Sequence, residues 1–167
     1  MIGAATGVAD NETIQKLICE KLGDPAKPLE MNPPQAAVMV AAEQIVPLFE
    51  YITSEPQLEL NYISTISAVD LGVEANEIEI VYFVSSITHK HKVTIKTRVA
   101  RSGGKVDTIS AILKGANWFE REIWELFGVD FVGHPKLERF LLADDWDSGN
   151  PMLRDWDGPD FERMPEA

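Results

Sequence analysis

Residues 117–135 read NWFEREIWELFGVDFVGHP and bring three glutamates, a guanidinium and an imidazole into one short stretch. Glu120, Glu122 and Glu125 supply the acids, Arg121 the fixed cation and His134 the ring, all set among Trp118, Phe119, Trp124, Phe127 and Phe131. Two carboxylates flanking one substrate would allow general acid–base chemistry, with His134 carrying a proton. The same groups would serve equally well as a buried clamp, because electrostatic pairing alone perturbs acids placed among aromatics.

Helical geometry separates these readings. Asn117 followed three residues later by Glu120 resembles a capping box, and Gly128 suits a helix stop, so the spacing predicts a helix over 118–127. At about 100° per residue, Phe119, Ile123, Leu126 and Phe127 share one face, extended by Trp124. Arg121 falls nearly opposite, and Glu122 and Glu125 belong to the polar flank. Glu120 falls inside the apolar arc, where an ionised carboxylate needs a partner; capping supplies part and an arginine such as Arg139 the rest. Glu120 and Glu122 point about 200° apart on one helix and cannot flank one substrate. The clamp is the stronger reading.

His134 sits in Gly133-His134-Pro135, where glycine permits an unusual turn and proline sets the exit, so it reads as a hydrogen-bonding corner. His89 and His91 share one strand face, but Lys90 and Lys92 flank them and would repel a dication. Cys19 is the single cysteine, which rules out an internal disulfide and a cysteine-based metal cluster within the chain. No glycine-rich phosphate loop, nucleophile elbow or Cys-x-x-Cys occurs. The isolated chain is therefore expected to carry no stoichiometric iron, zinc or flavin.

The elements that must position this stretch follow from periodicity. DNETIQKLICEKLG reads as a helix capped by Asp10 or Asn11, with Ile14, Leu17, Ile18 and Leu22 on one side and Gly23 at its end. DPAKPLEMNPP holds four prolines and reads as an extended connector. AAVMV suggests a buried strand over 36–40, and residues 43–54 a helix with Ile45, Leu48, Phe49 and Ile52 facing inward. Strands are expected over 60–70, 77–84 and 91–99. In the last two, Ile78, Ile80 and Tyr82 oppose Glu77 and Glu79, and Val93, Ile95 and Val99 oppose Lys96 and Arg98. Antiparallel pairing of apolar faces requires paired numbers with an odd sum, Ile80 with Ile95 for example, and brings those acids and bases together on the other face. SGGKVDT reads as a turn, and ISAILKGA fits strand or helix equally.

At 167 residues with 45% hydrophobic and 25% charged residues, the chain suits one domain with a sizeable core. A net charge of −12 argues against nucleic acid as a partner. The most apolar stretch is interrupted by Glu43, Gln44 and Pro47, which excludes direct membrane insertion there. Residues 138–167 hold nine acids against three arginines, and they also carry Phe140, Trp146, Trp156 and Phe161 without periodicity. The expected architecture is α+β: a small mixed, largely antiparallel sheet with packed helices over 1–133, flexible over 1–10, and an extended interface tail over 134–167. That tail is expected to lie across a partner, its aromatics in pockets and Arg154 paired with an acid there.

The stretch GANWFEREIWELFGVDFVGHPKLERFLLADDW resembles the motif region of the C subunit of respiratory complex I. Relatives of that protein occur in membrane-bound hydrogenases, deazaflavin-dependent quinone or phenazine oxidoreductases and the photosynthetic complex. The resemblance rests on Glu120, Arg121, Glu122, Glu125, Leu126, Phe127, Gly128, Gly133, His134 and Pro135 at fixed spacing. Weaker similarity extends back through ISAVD and HKHKVTIKTRV. Glu138 departs from the family pattern, and WDSGNPMLRDW has an extra residue before Gly149 and keeps only Arg154 of two basic residues, the mark of a divergent branch.

The resemblance implies a structural subunit without cofactor or catalytic residues, peripheral on the cytoplasmic face of the membrane. It would pack on the large D-type, hydrogenase-like subunit near the quinone site, beside iron–sulfur subunits that hold the clusters. In a hydrogenase relative, a nickel–iron site would sit in the partner instead. Glu120, Arg121, Glu122, Glu125, Gly128, Gly133, His134, Pro135, Arg139, Trp146, Arg154 and Trp156 are then structural or interface residues. The competing reading is a stand-alone enzyme using Glu120, Glu122 and His134.

Overall fold

A computed structural model describes residues 9–24 and 26–158. Most of the segment expected to be flexible (1–10) and the end of the expected tail, with Phe161, lie outside the described residues. Helix α1 runs over Asn11–Leu22, with the Asp10 carboxylate accepting the Thr13 N–H at 2.8 Å as its cap. Strand β1 (Ala26–Pro28) lies within the proline-rich stretch expected to be only a connector. It pairs antiparallel with β2 (Ala36–Val40) at the sheet edge, the one place where Pro28 costs no ladder hydrogen bond. A short 3₁₀ turn (Ala42–Gln44) leads into α2 (Ile45–Ser54), which buries Ile45, Leu48, Phe49 and Ile52 as expected.

The centre of the sheet is β3 (Tyr62–Asp70), β4 (Glu77–Ser85) and β5 (Lys92–Ala100), giving the order β1-β2-β5-β4-β3. Only β2 and β5 pair in parallel, so the sheet is mixed and largely antiparallel. The β4–β5 register places Tyr82 opposite Ile95 and Ile80 opposite Thr97, two residues from the Ile80–Ile95 pairing. An even displacement preserves the faces, so Ile78, Ile80, Tyr82, Val84, Val93 and Ile95 enter one core with Ile14, Ile18, Phe49 and Ile123. The opposite face sets Glu79 on Lys96 at 2.6 Å and on Arg98 at 3.2 Å. The basic stripe is thus partly neutralised by its neighbour strand.

The chain beyond β5 departs further from its sequence pattern. Residues 105–107, expected to belong to a turn, form β6 (Lys105–Asp107), and ISAILKGA runs through turns up to Gly115, with only Ala116 helical. Helix α3 covers Ala116–Phe127, and β7 (Asp130–Val132) returns parallel to β6. The two three-residue strands therefore hold α3 between them as a crossover, anchoring both of its ends to the domain. Strands this short show no alternation long enough to read.

Candidate functional site

Helix α3 opens at Gly115 without a side-chain cap, so Asn117 and Glu120 do not form the expected capping box. Glu120 is fully buried, and its carboxylate accepts the Ile109 N–H at 2.9 Å and the Thr108 hydroxyl. Thr108 also bonds Ser110 at 2.7 Å. Arg139 is not the partner: its Nη1 donates to the Trp146 carbonyl at 2.6 Å. Glu120 is instead the fastener between α3 and the turns that precede it. Burial, opposed by those two bonds, pushes its carboxyl up to about 7.

His134 approaches from the other side, its Nε2 standing 3.7 Å from Glu120 Oε2 with both side chains sealed from solvent. Its Nδ1 accepts the Lys136 N–H at 3.1 Å, so Nε2 carries the hydrogen and donates to the Asn117 carbonyl at 3.2 Å. Burial lowers the imidazole below its ordinary value. Gly133, at φ +80°, turns the chain into this corner next to Thr108, and Pro135 follows. The ring is occupied on both nitrogens. Glu122 is exposed and faces away, so the stretch brings no second carboxylate to Glu120.

Two residues expected on the polar flank are buried. Arg121 is 7% exposed, and both its Nε and its Nη2 donate to the Glu138 carbonyl, at 3.0 and 2.9 Å. Its guanidinium carbon lies 4.6 Å from the Trp118 ring centroid and 4.8 Å from that of Phe140, and the two rings meet edge to face at 5.0 Å. Glu125 is 4% exposed and takes the backbone N–H groups of Phe140, Leu141 and Leu142, the shortest at 2.7 Å. Both changes share one cause: the chain after His134 folds back across the outer side of α3, converting its polar flank into an interior.

Glu125, placed by the sequence on the polar flank, is therefore a buried acceptor of the fold. Glu125→Gln keeps one acceptor oxygen but loses the charge that three N–H groups converge on. It is expected to cost about 2 kcal/mol, read as a lowered denaturant midpoint with increased proteolysis near 139–142.

The segment from Ala143 onward binds its own domain among the described residues. Trp146 and Trp156 stack at 5.9 Å, and their indole N–H groups donate to Gly149 and Ser148 carbonyls at 2.7 and 2.6 Å. Asn150 donates to the Glu125 carbonyl at 3.1 Å and the Met152 N–H to the Leu126 carbonyl at 3.2 Å, closing the C-terminal end of α3. Gly128, at φ +79°, is required twice over, since a Cβ there would lie 2.6 Å from Asn150 Oδ1. Arg154, expected to reach an acid on a partner, brings its backbone N–H to Asp70 at 2.8 Å.

Asp70 and Arg101 are the residues that sequence reasoning missed. Arg101 donates to both Asp70 oxygens, at 2.9 and 3.1 Å, and also pairs with Asp155. The Gly72 N–H adds a further bond at 3.0 Å. The Arg101 guanidinium, helped by these N–H groups, holds the Asp70 carboxyl at about 2. One signal was readable: Asp70 has the same strand parity as the inward Ile66 and Ala68, an acid at a core position.

His89 and His91 stack at 5.5 Å, and their Nε2 atoms bond the Pro56 and Leu58 carbonyls at 2.9 and 2.7 Å. Among the described residues, no group of three His, Cys, Asp or Glu side chains is placed to hold a metal ion. An open cleft of about 640 Å³ lies away from this motif, between Asp10, Gln15, Leu29 and Gln35, and a smaller one of about 280 Å³ is lined by Trp124, Glu125, Gly128 and Arg139. Geometrically the stretch is a clamp with an aromatic outer surface: Trp118 is 58% exposed, Phe140 38% and Leu141 54%.

The family described as "Respiratory-chain NADH dehydrogenase, 30 Kd subunit" matches residues 38–162. The C subunit of the NADH-quinone oxidoreductase of Geobacter sulfurreducens is 36% identical over 131 residues, covering 77% of this chain and 79% of the relative. The mitochondrial NADH-ubiquinone oxidoreductase 30.4 kDa subunit of Neurospora crassa is 32% identical over 122 residues, which are 73% of this chain and 42% of that one. Among solved structures, a chain of the membrane-bound sulfane sulfur reductase, an archaeal respiratory membrane complex, superposes with TM-score 0.73 at 28% identity, covering 87% of this chain and 85% of that one. A trypsin-resistant fragment of Nqo5, at 20% identity and TM-score 0.53 over 75% of this chain and 98% of the fragment, shares the fold.

Proposed function

The chain belongs to the family of the respiratory-chain NADH dehydrogenase 30 Kd subunit, and from that premise we propose that it is a non-catalytic, cofactor-free subunit of a complex I-like oxidoreductase. In this reading it sits peripherally on the cytoplasmic face of the membrane, packed on the large D-type subunit near the quinone site, with iron–sulfur subunits alongside. The complex couples electron transfer to ion translocation, and this chain contributes rigid shape. Among the described residues, no helix is long and apolar enough to cross a membrane.

The observation that carries the reading is the outward surface of the motif. Glu120, Glu125 and His134 spend their polar atoms on their own domain, while Trp118, Phe140 and Leu141 remain in water. Neighbouring large apolar side chains are costly to expose, and a central aromatic flanked by arginine is the composition of an interface hot spot. A second reading, as the corresponding subunit of a membrane-bound hydrogenase, rests on the motif's resemblance, and the superposition with the sulfane sulfur reductase chain shows that this fold also serves a respiratory membrane complex of another kind.

An affinity-tagged chain expressed in its own host tests both. It is expected to co-purify with iron–sulfur and membrane subunits, and Trp118→Ala to lower the assembled fraction about tenfold without unfolding the chain. The make-up of the purified complex separates the quinone reductase from the hydrogenase. A chain that purifies alone, with activity of its own, sinks both readings.

A further inference from the structure

We propose that Arg121 is the receptor for a carboxylate of the partner subunit, received beside Trp118 and Phe140. The inference rests on the reading above and goes beyond it by naming the anchor and the chemistry it accepts.

The observation is a buried cation without a counter-charge among the described residues. Arg121 is more than nine-tenths buried, yet no carboxylate of the described residues lies within 4.0 Å of its guanidinium. Among those residues its only polar partner is a neutral carbonyl, that of Glu138, which takes Nε and Nη2. Nη1 makes no hydrogen bond among the described residues, and it is not among the buried unsatisfied atoms, so it reaches the surface. Charges removed from water are normally paired, because desolvation without a partner is expensive. Aromatic contact offsets part of that cost but supplies no hydrogen-bond acceptor.

The surroundings select the ligand. Trp118 and Phe140 contact the guanidinium, and the Glu138 carbonyl holds one edge, so the free Nη1 donors point in a set direction. A planar carboxylate matches that edge, and the exposed rings with Leu141 offer apolar surface around it. A phosphate-bearing lipid surface or nucleic acid fits poorly. The chain carries −12 overall, so a polyanion is repelled while a single carboxylate is accommodated.

The test uses the assembled complex. Its structure by electron cryo-microscopy is expected to show a carboxylate oxygen of another subunit about 3 Å from Nη1 of Arg121. In parallel, Arg121→Lys and Arg121→Met are introduced into the tagged chain, and retention in the complex is followed as salt is raised. Lysine keeps the charge but cannot serve the Glu138 carbonyl and a planar carboxylate together, so both variants should lose retention by about tenfold or more, methionine the further. Circular dichroism and melting of the free Arg121→Lys chain separate loss of docking from loss of fold, and a near-unchanged melt with lost retention supports the receptor. The proposal is overturned if Arg121 faces solvent, a lipid headgroup or only backbone carbonyls in an intact complex, or if Arg121→Lys holds as tightly as the natural chain. In those outcomes the reading as a complex I-like subunit stands. A chain that never joins the complex removes that reading and the receptor with it.

Discussion

Asp70→Asn is expected to release the C-terminal strap, residues 144–158, and to cost on the order of 3 kcal/mol of stability. Asp70 is nearly sealed from solvent and collects four bonds, two from Arg101 and one each from the Gly72 and Arg154 backbone. Asparagine keeps one acceptor but replaces the other with a donor facing other donors. Arg101, itself largely buried, then has only the more exposed Asp155 as counter-charge. Removing one member of a buried pair costs more than the pair contributes, because the remaining charge stays desolvated. The strap loses its attachment to the end of β3 at the same time.

Denaturant midpoints and limited proteolysis over 144–158 read the two consequences. The pH dependence adds a third. The carboxyl is held near 2 in the folded chain, below its ordinary 3.8, so its contribution is present above about pH 4 and lost as pH falls through 2. The natural chain should weaken more steeply across that window than Asp70→Asn, in which Asp10, Glu79 and Asp155 still titrate from lowered values. A strap equally protected in both chains would contradict the latch.

Glu120 should show the opposite sign. Its folded carboxyl is raised from 4.5 to about 7, so the folded chain binds a proton that the unfolded chain has released. Stability from this group is full below about pH 4.5 and declines as pH rises to 7, by on the order of 3 kcal/mol. His134 runs against it. With its ring lowered by burial, its contribution is present above pH 6.5 and lost as pH falls through the folded value. Tyr82, fully buried on β4, is the other titratable group influenced by Glu120, and burial raises it out of this range.

Glu120→Gln isolates the carboxyl. The amide oxygen keeps the Ile109 N–H and the amide nitrogen can donate to Thr108, so the network survives without a titrating group. Stability measured from pH 4.5 to 8 should therefore lose its downward slope in this variant, which should equal or exceed the natural chain at pH 8. Glu120→Ala should cost about 3 kcal/mol throughout, since it orphans the Ile109 N–H and opens a cavity beside Thr108. Parallel pH profiles for the natural chain and Glu120→Gln would show that Glu120 stays ionised.

What the sequence determined by itself is what repeats along it. The alternation of Ile78, Ile80 and Tyr82 with Glu77 and Glu79 placed β4 and both of its faces, and the β4–β5 register preserved them although it shifted by two residues. Ile45, Leu48, Phe49 and Ile52 marked the inner face of α2, and Asp10 and Gly128 marked helix ends. The motif from Glu120 to Pro135 identified the family, to which the chain belongs.

Tertiary structure alone decided the fate of the charged residues. Glu120 was legible as a buried acid but not its partners, and Arg121 and Glu125 read as solvent-facing. Apart from the Thr108 hydroxyl on Glu120, their partners are the backbone N–H groups of Ile109, Phe140, Leu141 and Leu142 and the Glu138 carbonyl. Every residue but proline carries the same backbone donor, and every residue the same acceptor, so a bond to main chain leaves no trace in the residue types that make it. Periodicity reports which neighbours along one element share a face. It cannot report that a segment fifteen residues later folds across that element and turns its wet side dry.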